Sequence, residues 1–189
     1  MLLFVCHANI CRSPMAERLA RLVLTGHFPP AAASTVSTAS AGTHARAGAA
    51  MHAGAAQVLR DLGADASDFS SRLVSADLVA NASLVLTATR EQRAFCVRLA
   101  PVAVRRTFTI RQFGRLSAAL DPTTLGTAPA GRVAALLERI AVTRGAFQPV
   151  RPDEDDLADP VNGTEEDVRA CARQIQLSLR PALALISAA

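Results

Sequence analysis

Leu2 to Val5 are four apolar residues in a row, and they run straight into Cys6. A short run this rich in aromatic and branched residues reads as a buried strand. Ser13 and Pro14 then open a helix, Ser13 as the N-cap and Pro14 as the first helical residue. Met15, Leu19, Leu22 and Val23 recur on one face of it, and Gly26 is its stop. Residues 6–12 are therefore predicted as a loop between a strand end and a helix N-terminus.

Further along, weak alternation over 35–39 predicts a second strand that ends at Ser40-Ala41-Gly42-Thr43, after a Pro- and Ala-rich loop over 28–33. Residues 51–62 pattern as a helix with Met51, Ala55, Val58, Leu59 and Leu62 on one side, stopped at Gly63. A loop over 65–72 follows, and Ser75 starts a short helix. Strands are predicted at 83–88 and 106–110, and helices at 90–99 and 112–120. A linker over 127–131 leads to a helix over 132–144 with Val133, Leu136, Leu137 and Ile140 on its apolar side. Residues 148–163 are long, acidic and irregular. Thr164, with Asp167 three residues on, caps a last helix. Val168, Cys171, Ile175 and Leu179 share one face of it, Leu177 points the other way, and it ends near Pro181 or passes it with a kink.

Strands that alternate with helices predict an α/β fold: a single domain over 1–189, with a four-stranded parallel sheet, helices on both faces and right-handed crossovers. The first loop then lies at the C-terminal end of the first strand, where open α/β sheets bind ligands.

Composition narrows the class. At 189 residues and 50% apolar content, the chain can bury one full core. No apolar run approaches the roughly 18 to 20 residues of a spanning helix. The N-terminal apolar run is short and has no basic region before it, unlike a secretory signal. A cytoplasmic protein with no membrane insertion is expected. Net charge is +4 and every Lys-or-Arg position is Arg. Arg106 and Arg111 lie too far apart, among too few aromatics, for nucleic-acid binding; the charge instead favours anionic substrates. The four cysteines, Cys6, Cys11, Cys96 and Cys171, form no zinc spacing with the four histidines and are expected as thiols.

The first loop carries the chemistry. Amides from His7, Ala8, Asn9, Ile10, Cys11, Arg12 and Ser13 can converge on an oxyanion, and the helix dipole adds positive charge. The same field favours the thiolate of Cys6. Arg12 brings a planar fork that holds two oxygens of a tetrahedral anion. The Ser13 hydroxyl can donate to the sulfur when it leaves. Cys6 can thus attack phosphorus while Arg12 and the amides offset the charge on the equatorial oxygens, so no metal and no cofactor are required. Such a site also needs a group that protonates the leaving oxygen. Asp159 and Asp121 are the candidates, each followed by a proline that restricts its backbone.

The stretch Val5-Cys6-His7-Ala8-Asn9-Ile10-Cys11-Arg12-Ser13-Pro14-Met15-Ala16-Glu17 resembles the signature of the low-molecular-weight protein tyrosine phosphatases. Ser40-Ala41-Gly42-Thr43 is similar to that family's second motif, and Asp159-Pro160 to its third. The resemblance implies a phosphomonoesterase acting on phosphotyrosine in protein partners through a cysteinyl-phosphate. It implies Cys6 as nucleophile, Arg12 as oxyanion clamp and Asp159, before the last helix, as general acid in preference to Asp121. It pairs Ser40 with Asn9 to hold the loop, places His7 on the rim, and makes Cys11 a backup thiol that can form a disulfide with Cys6 under oxidation. Read as a residue alone, Cys11 is a small buried space-filler.

The resemblance also implies that the chain is longer than the family's compact domain, with an extra loop or helical segment around 120–155. Two departures from the family pattern bear on substrate. Val161 and Asn162 follow Asp159-Pro160 where an aromatic is usual, and His44, Ala45 and Arg46 follow the second motif where another often stands. With no Tyr and no Trp in the chain, a phenyl ring is expected to meet less aromatic wall. Two alternatives stay open: a catalytically weak phosphate-binding module, and a thiol-dependent arsenate reductase of the same fold. The latter would need a relay cysteine pair after the third strand, where only Cys96 lies.

Overall fold

The computed structural model describes residues 1–27, 36–121, 129–143 and 151–187. The strands are β1 (Leu2–Cys6), β2 (Thr38–Gly42), β3 (Leu84–Thr87) and β4 (Thr107–Thr109). The helices are α1 (Arg12–His27), α2 (Ala53–Asp61), α3 (Ala76–Asn81), α4 (Arg90–Leu99), α5 (Ile110–Ala118), α6 (Pro129–Thr143), α7 (Pro152–Asp155) and α8 (Glu165–Ser187), with a 3-10 turn at Pro101–Arg106. The four strands form one parallel sheet in the order β2-β1-β3-β4. Cys6 pairs with Gly42 and Val5 with Thr87, so both neighbours of β1 end level with its C-terminus.

Alternation along β1 divides the core in two. Leu2, Phe4 and Cys6 face the larger layer, built with side chains of α1, α2, α5, α6 and α8. Leu3 and Val5 face a smaller layer with Val79 of α3 and Cys96 of α4. Successive strand side chains point to opposite faces, and both faces here are apolar, as a helix-covered parallel sheet requires. Hydroxyl caps set the helix starts: Ser75, Thr89 and Thr109 each accept a backbone N–H at the head of α3, α4 and α5. Thr164 and Asp167 cap α8 reciprocally, the Thr164 N–H reaching Asp167 Oδ2 at 2.7 Å and the Asp167 N–H reaching Thr164 Oγ1 at 3.2 Å. Pro181 lies inside α8, which continues to Ser187. The carbonyl that loses its donor belongs to Leu177, an exposed residue, so water can replace the missing bond.

Several expected boundaries shift. α1 begins at Arg12, and the Ser13 hydroxyl is drawn into the loop before it. Leu22 is 38% exposed, and Ala16, Ala20 and Leu24 complete the buried face instead. β2 runs three residues later than expected, so that Ser40, Ala41 and Gly42 are strand and not turn. α5 starts at Ile110, because Thr109 caps it. The 127–131 linker is already helix from Pro129, and one helical turn, α7, interrupts the acidic stretch. Residues 28–35, 122–128 and 144–150 fall outside the described set. With them go the expected loop at 28–33, the strand start at residue 35, Pro122 and the starts of the 127–131 linker and the 148–163 stretch. Among the described residues no helix is long and apolar enough to cross a membrane.

The contact between α5 and α8 is close enough to require glycine. A Cβ on Gly114 would sit 2.3 Å from the backbone oxygen of Ser178, whereas one on Gly131 would meet nothing within 4 Å. Gly114→Ala should therefore cost about 1–3 kcal/mol, because two helix backbones must part. Gly131→Ala should gain about 0.5–1 kcal/mol, because it only stiffens a helix. Urea unfolding of the two variants checks this; equal effects would contradict the packing.

Candidate active site

The loop after β1 gets its shape from bonds that pull its carbonyls outward. The carbonyl of Cys6 accepts from the Thr43 N–H at 2.9 Å, that of His7 from the His44 N–H at 2.8 Å, and that of Ile10 from the His52 N–H at 2.8 Å. With those oxygens held by neighbouring segments, the loop amides are left for the concave side, as in an anion nest. Asn9 takes a left-handed conformation, φ 53°, which Asn tolerates better than most residues. Gly42 stands behind the loop. A Cβ there would lie 2.6 Å from His7 O and 2.8 Å from Asn9 N, so a side chain would push the loop out of place.

Asn9 is fully buried. Its Nδ2 donates to Ser13 Oγ at 2.9 Å and to Ser40 Oγ at 3.0 Å, and its Oδ1 accepts the Arg72 N–H at 2.9 Å. Ser40 Oγ in turn donates to Glu17 Oε2 at 2.6 Å, and Glu17 Oε1 accepts from Arg21 at 2.5 Å. These partners fix the amide orientation. They also join the loop to α1, β2 and the segment before α3.

The sulfur of Cys6 accepts the Asn9 N–H at 3.3 Å and lies 3.0 Å from Ser13 Oγ. Ser13 Oγ is also 3.2 Å from the Ala41 carbonyl. A hydroxyl has one hydrogen, so the two contacts alternate. With a thiolate, Ser13 donates to sulfur; with a thiol, the S–H donates to Ser13 and the serine hydrogen turns to Ala41. Arg12, 5% exposed, donates through Nη1 to the Leu157 carbonyl at 3.1 Å and through Nη2 to Asp159 Oδ2. Asp159 is 43% exposed, and its Oδ1 accepts the Val161 N–H at 3.3 Å across Pro160. This stretch is held to the C-terminal end of β3 and the start of α4, since the Leu157 N–H donates to Ala88 O at 2.9 Å and the Arg90 N–H to Asp156 Oδ1 at 2.7 Å. Cys6, Arg12, Ser13, Asn9, Ser40 and Asp159 thus meet in one place. Asp121, exposed, follows α5 and is at the end of that helix away from β4 and the strand ends.

All four cysteines are free thiols. Burial pushes the Cys11 thiol up to about 12, with Cys171, Cys6 and Asp159 adding to the rise and Arg12 opposing it. Burial likewise raises Cys171 to about 12. Cys96, also raised to about 12 by burial, belongs to the smaller layer, on the other face of the sheet from Cys6. It is poorly placed for a thiol relay.

Sequence reasoning left out Glu17, Arg21, Arg72, Leu157 and Phe95. Glu17 was legible as the last residue of the first motif. Arg21 was legible as the i,i+4 partner of Glu17 on the same helix; Arg72, Leu157 and Phe95 act through backbone groups or from distant elements, and no local pattern marks them. The rings that stand at the rim of the site are imidazoles and one phenyl group. The exposed rings of His7 and His44 stack at 4.5 Å between centroids and 21° between planes, and Phe95 of α4 lies 5.9 Å from His44.

Residues 1–143 match the family described as low molecular weight phosphotyrosine protein phosphatase. A probable low molecular weight protein-tyrosine-phosphatase, EpsP, of Ralstonia nicotianae is 38% identical over 85 residues, which cover 45% of this chain and 52% of that protein. The chain thus spans about half the length of that relative. A protein-arginine-phosphatase of Geobacillus stearothermophilus is 36% identical over 112 residues, 59% of this chain and 70% of that one. The crystal structure of a low molecular weight protein tyrosine phosphatase from T. tengcongensis shares the fold, with a TM-score of 0.69 at 22% identity over 96% of this chain and 95% of that one. With the family's model matched over most of its length and its fold reproduced, the chain belongs to the low molecular weight phosphotyrosine protein phosphatase family.

Proposed function

We propose that this chain hydrolyses phosphomonoesters of protein tyrosine in two steps at Cys6. The observation that carries the reading is the Cys6 sulfur, held by the Asn9 N–H and the Ser13 hydroxyl beside the Arg12–Asp159 pair. The Cys6 thiolate attacks phosphorus in line with the ester oxygen; the S–P bond forms as the P–O bond breaks. Asp159 gives its proton to the leaving phenolic oxygen. The loop amides and Arg12 hold the equatorial oxygens. Asp159, now a carboxylate, takes a proton from water as that water attacks phosphorus, and Cys6 leaves as a thiolate with orthophosphate released. Ser13 stabilises that leaving sulfur by donating to it.

In the structure Asp159 takes Nη2 of Arg12, one of the two donors that the phosphate oxygens need. An incoming dianion therefore competes with the Asp159 carboxylate for Arg12 Nη2; once displaced, that carboxylate takes up a proton from solvent and can then give it to the leaving oxygen. A second reading, phosphoarginine hydrolysis, draws support from the arginine phosphatase at 36% identity. It uses the same nucleophile and cradle but breaks a P–N bond.

Phosphate release from matched tyrosine- and arginine-phosphorylated peptides tests the proposal. Faster release from the tyrosine peptide, lost in Cys6→Ser, is expected; faster release from the arginine peptide would transfer the reading to phosphoarginine. In the same assay Asp159→Asn should lose about 10²–10⁴ in rate on phenyl phosphate and less on para-nitrophenyl phosphate, whose oxygen departs without a proton. Asp121→Asn should change neither.

Thiol labelling gives an independent check. The high values for Cys11, Cys96 and Cys171 leave little thiolate at those positions at neutral pH. Iodoacetate, whose carboxylate suits the amide cradle, should label Cys6 alone in the folded chain, and inorganic phosphate should protect it. Peptide mass mapping that finds Cys11 or Cys171 labelled as fast as Cys6 would contradict the assignment.

A further inference from the structure

β2 is an end strand of the sheet, and among the described residues its outer edge meets only one bridge, from Gly42 to Leu73. Two guanidinium groups stand along the rest of that edge. The Ser37 carbonyl reaches inward to the Leu2 N–H at 2.7 Å, so the carbonyls of Thr38 and Ser40 face outward. Arg21 donates through Nε to Thr38 Oγ1 at 3.2 Å and through Nη2 to the Thr38 carbonyl at 3.4 Å. Arg72 donates through Nε to the Ser40 carbonyl at 2.8 Å. Positions two apart on a strand are about 7 Å apart, so the two cations are held as neighbours. Among the described residues, Nη1 of Arg21 and both Nη atoms of Arg72 have no acceptor. Arg18 of α1 is a third cation, only 7% exposed. Its Nη2 donates to the Ser67 carbonyl at 3.0 Å, its Nη1 reaches Asp65 Oδ2 only at 3.4 Å, and its buried Nε has no partner. Arg18, Arg21 and Arg72 line one open cavity of about 460 Å³.

The carboxylates of the same cavity do not use up these donors. Both oxygens of Glu17 are taken, by Arg21 and by Ser40. Asp65 spends Oδ1 on the N–H and hydroxyl of Ser67 and Oδ2 on Arg18. Ser67 above all, and then the charges of Arg18 and Arg21, hold its carboxyl below the usual range, which places both cations near it. Asp68 is exposed, in a left-handed turn with φ 48°, and among the described residues its carboxylate has no partner. The cavity therefore combines spare N–H groups on three fixed cations with one spare acceptor. A charged donor that lacks an acceptor in a buried setting favours an anion that supplies one. Orthophosphate fits both halves of the pattern: its bare oxygens accept from the arginines, and the hydroxyl it keeps at neutral pH donates to Asp68. Sulfate has no such hydroxyl and would set a bare oxygen against that carboxylate. We propose that this cavity is a second phosphate site, which holds orthophosphate between Arg18, Arg21 and Arg72 with its hydroxyl turned to Asp68. It is separate from the cradle of Cys6, since Glu17, Ser40 and Asn9 are linked in line between the two. The anion takes N–H groups that are unused, so the contacts of Arg21 with Glu17 and of Arg72 with Ser40 stay in place. The site is a claim about binding and does not depend on turnover at Cys6.

Heteronuclear NMR of the full chain follows the two sites separately while orthophosphate, or in parallel sulfate, is added at neutral pH. The Nε–H signals of Arg18, Arg21 and Arg72 and the amides of residues 65–70 should move to saturation with a dissociation constant of their own, tighter for orthophosphate than for sulfate. The amides of residues 7–13 report the Cys6 cradle. Arg18→Gln should weaken orthophosphate at the second site about 10-fold or more, as loss of a charged hydrogen bond does, and leave the constant of the cradle unchanged. Asp68→Asn keeps a residue that tolerates the left-handed turn and removes the charge. It should tighten sulfate at the second site about 3- to 10-fold and narrow the gap between the two anions. Because Asp68 is exposed, this variant decides the matter even where Arg18→Gln fails to fold. Signals at 65–70 that never saturate, that follow the constant of the cradle in every variant, or that bind sulfate as tightly as orthophosphate in the parent would each overturn the second site. So would an Asp68→Asn chain whose sulfate affinity is unchanged.

Discussion

The buried side chain of Asn9 is the constraint on which the site depends. It bends the loop through a left-handed residue and then uses every polar atom it has on three different segments: Ser13 in α1, Ser40 in β2 and the backbone of Arg72. Each buried partner left without it would cost on the order of 1–3 kcal/mol. The loop is therefore not held by its own turn chemistry. It is held because an amide fits a polar hole that the second strand, the first helix and the segment before α3 make together. Glu17 and Arg21 extend that arrangement outward to the surface. Gly42 completes it by leaving room where any side chain would press on His7 and Asn9.

The second constraint is charge. Arg12 is nearly buried, and a buried guanidinium needs partners. It has two: the Leu157 carbonyl and the Asp159 carboxylate. Both come from the stretch before α8, which is itself tied to the ends of β3 and α4. The contact that neutralises Arg12 is thus the one that delivers the proposed general acid. A single ion pair across 147 residues of sequence links the proposed oxyanion clamp, the proposed acid and the stretch that leads into the C-terminal helix.

Much of this was legible in the chain. The run from Leu2 into Cys6, the hydroxyl caps and the apolar faces of α6 and α8 follow from periodicity, and the parallel sheet follows from their alternation. What was misread has a common cause. β2 is Thr-Ala-Ser-Ala-Gly, with no bulky apolar residue to set its register, so the pattern placed it three residues early. The hydroxyl of Ser13, foreseen as a donor to the Cys6 sulfur, was also read as a helix cap because nothing local showed that Asn9 and Ala41 would share it. Asp159 was marked by resemblance and by its proline; its contact with Arg12 is tertiary and left no trace in the spacing. Phe95 read as one more apolar residue of a helix, and its place beside His44 comes only from how α4 packs on the sheet.

The central claim is that Cys6 becomes covalently phosphorylated and no other residue does. Rapid quenching of the full chain during turnover of para-nitrophenyl phosphate, followed by peptide mass mapping, tests it most directly. The account predicts one phosphoryl group on the peptide that holds Cys6, present while substrate lasts and gone when it is exhausted. Phosphate release at the same rate with no phosphoryl group on Cys6, or with one on another side chain, would contradict it.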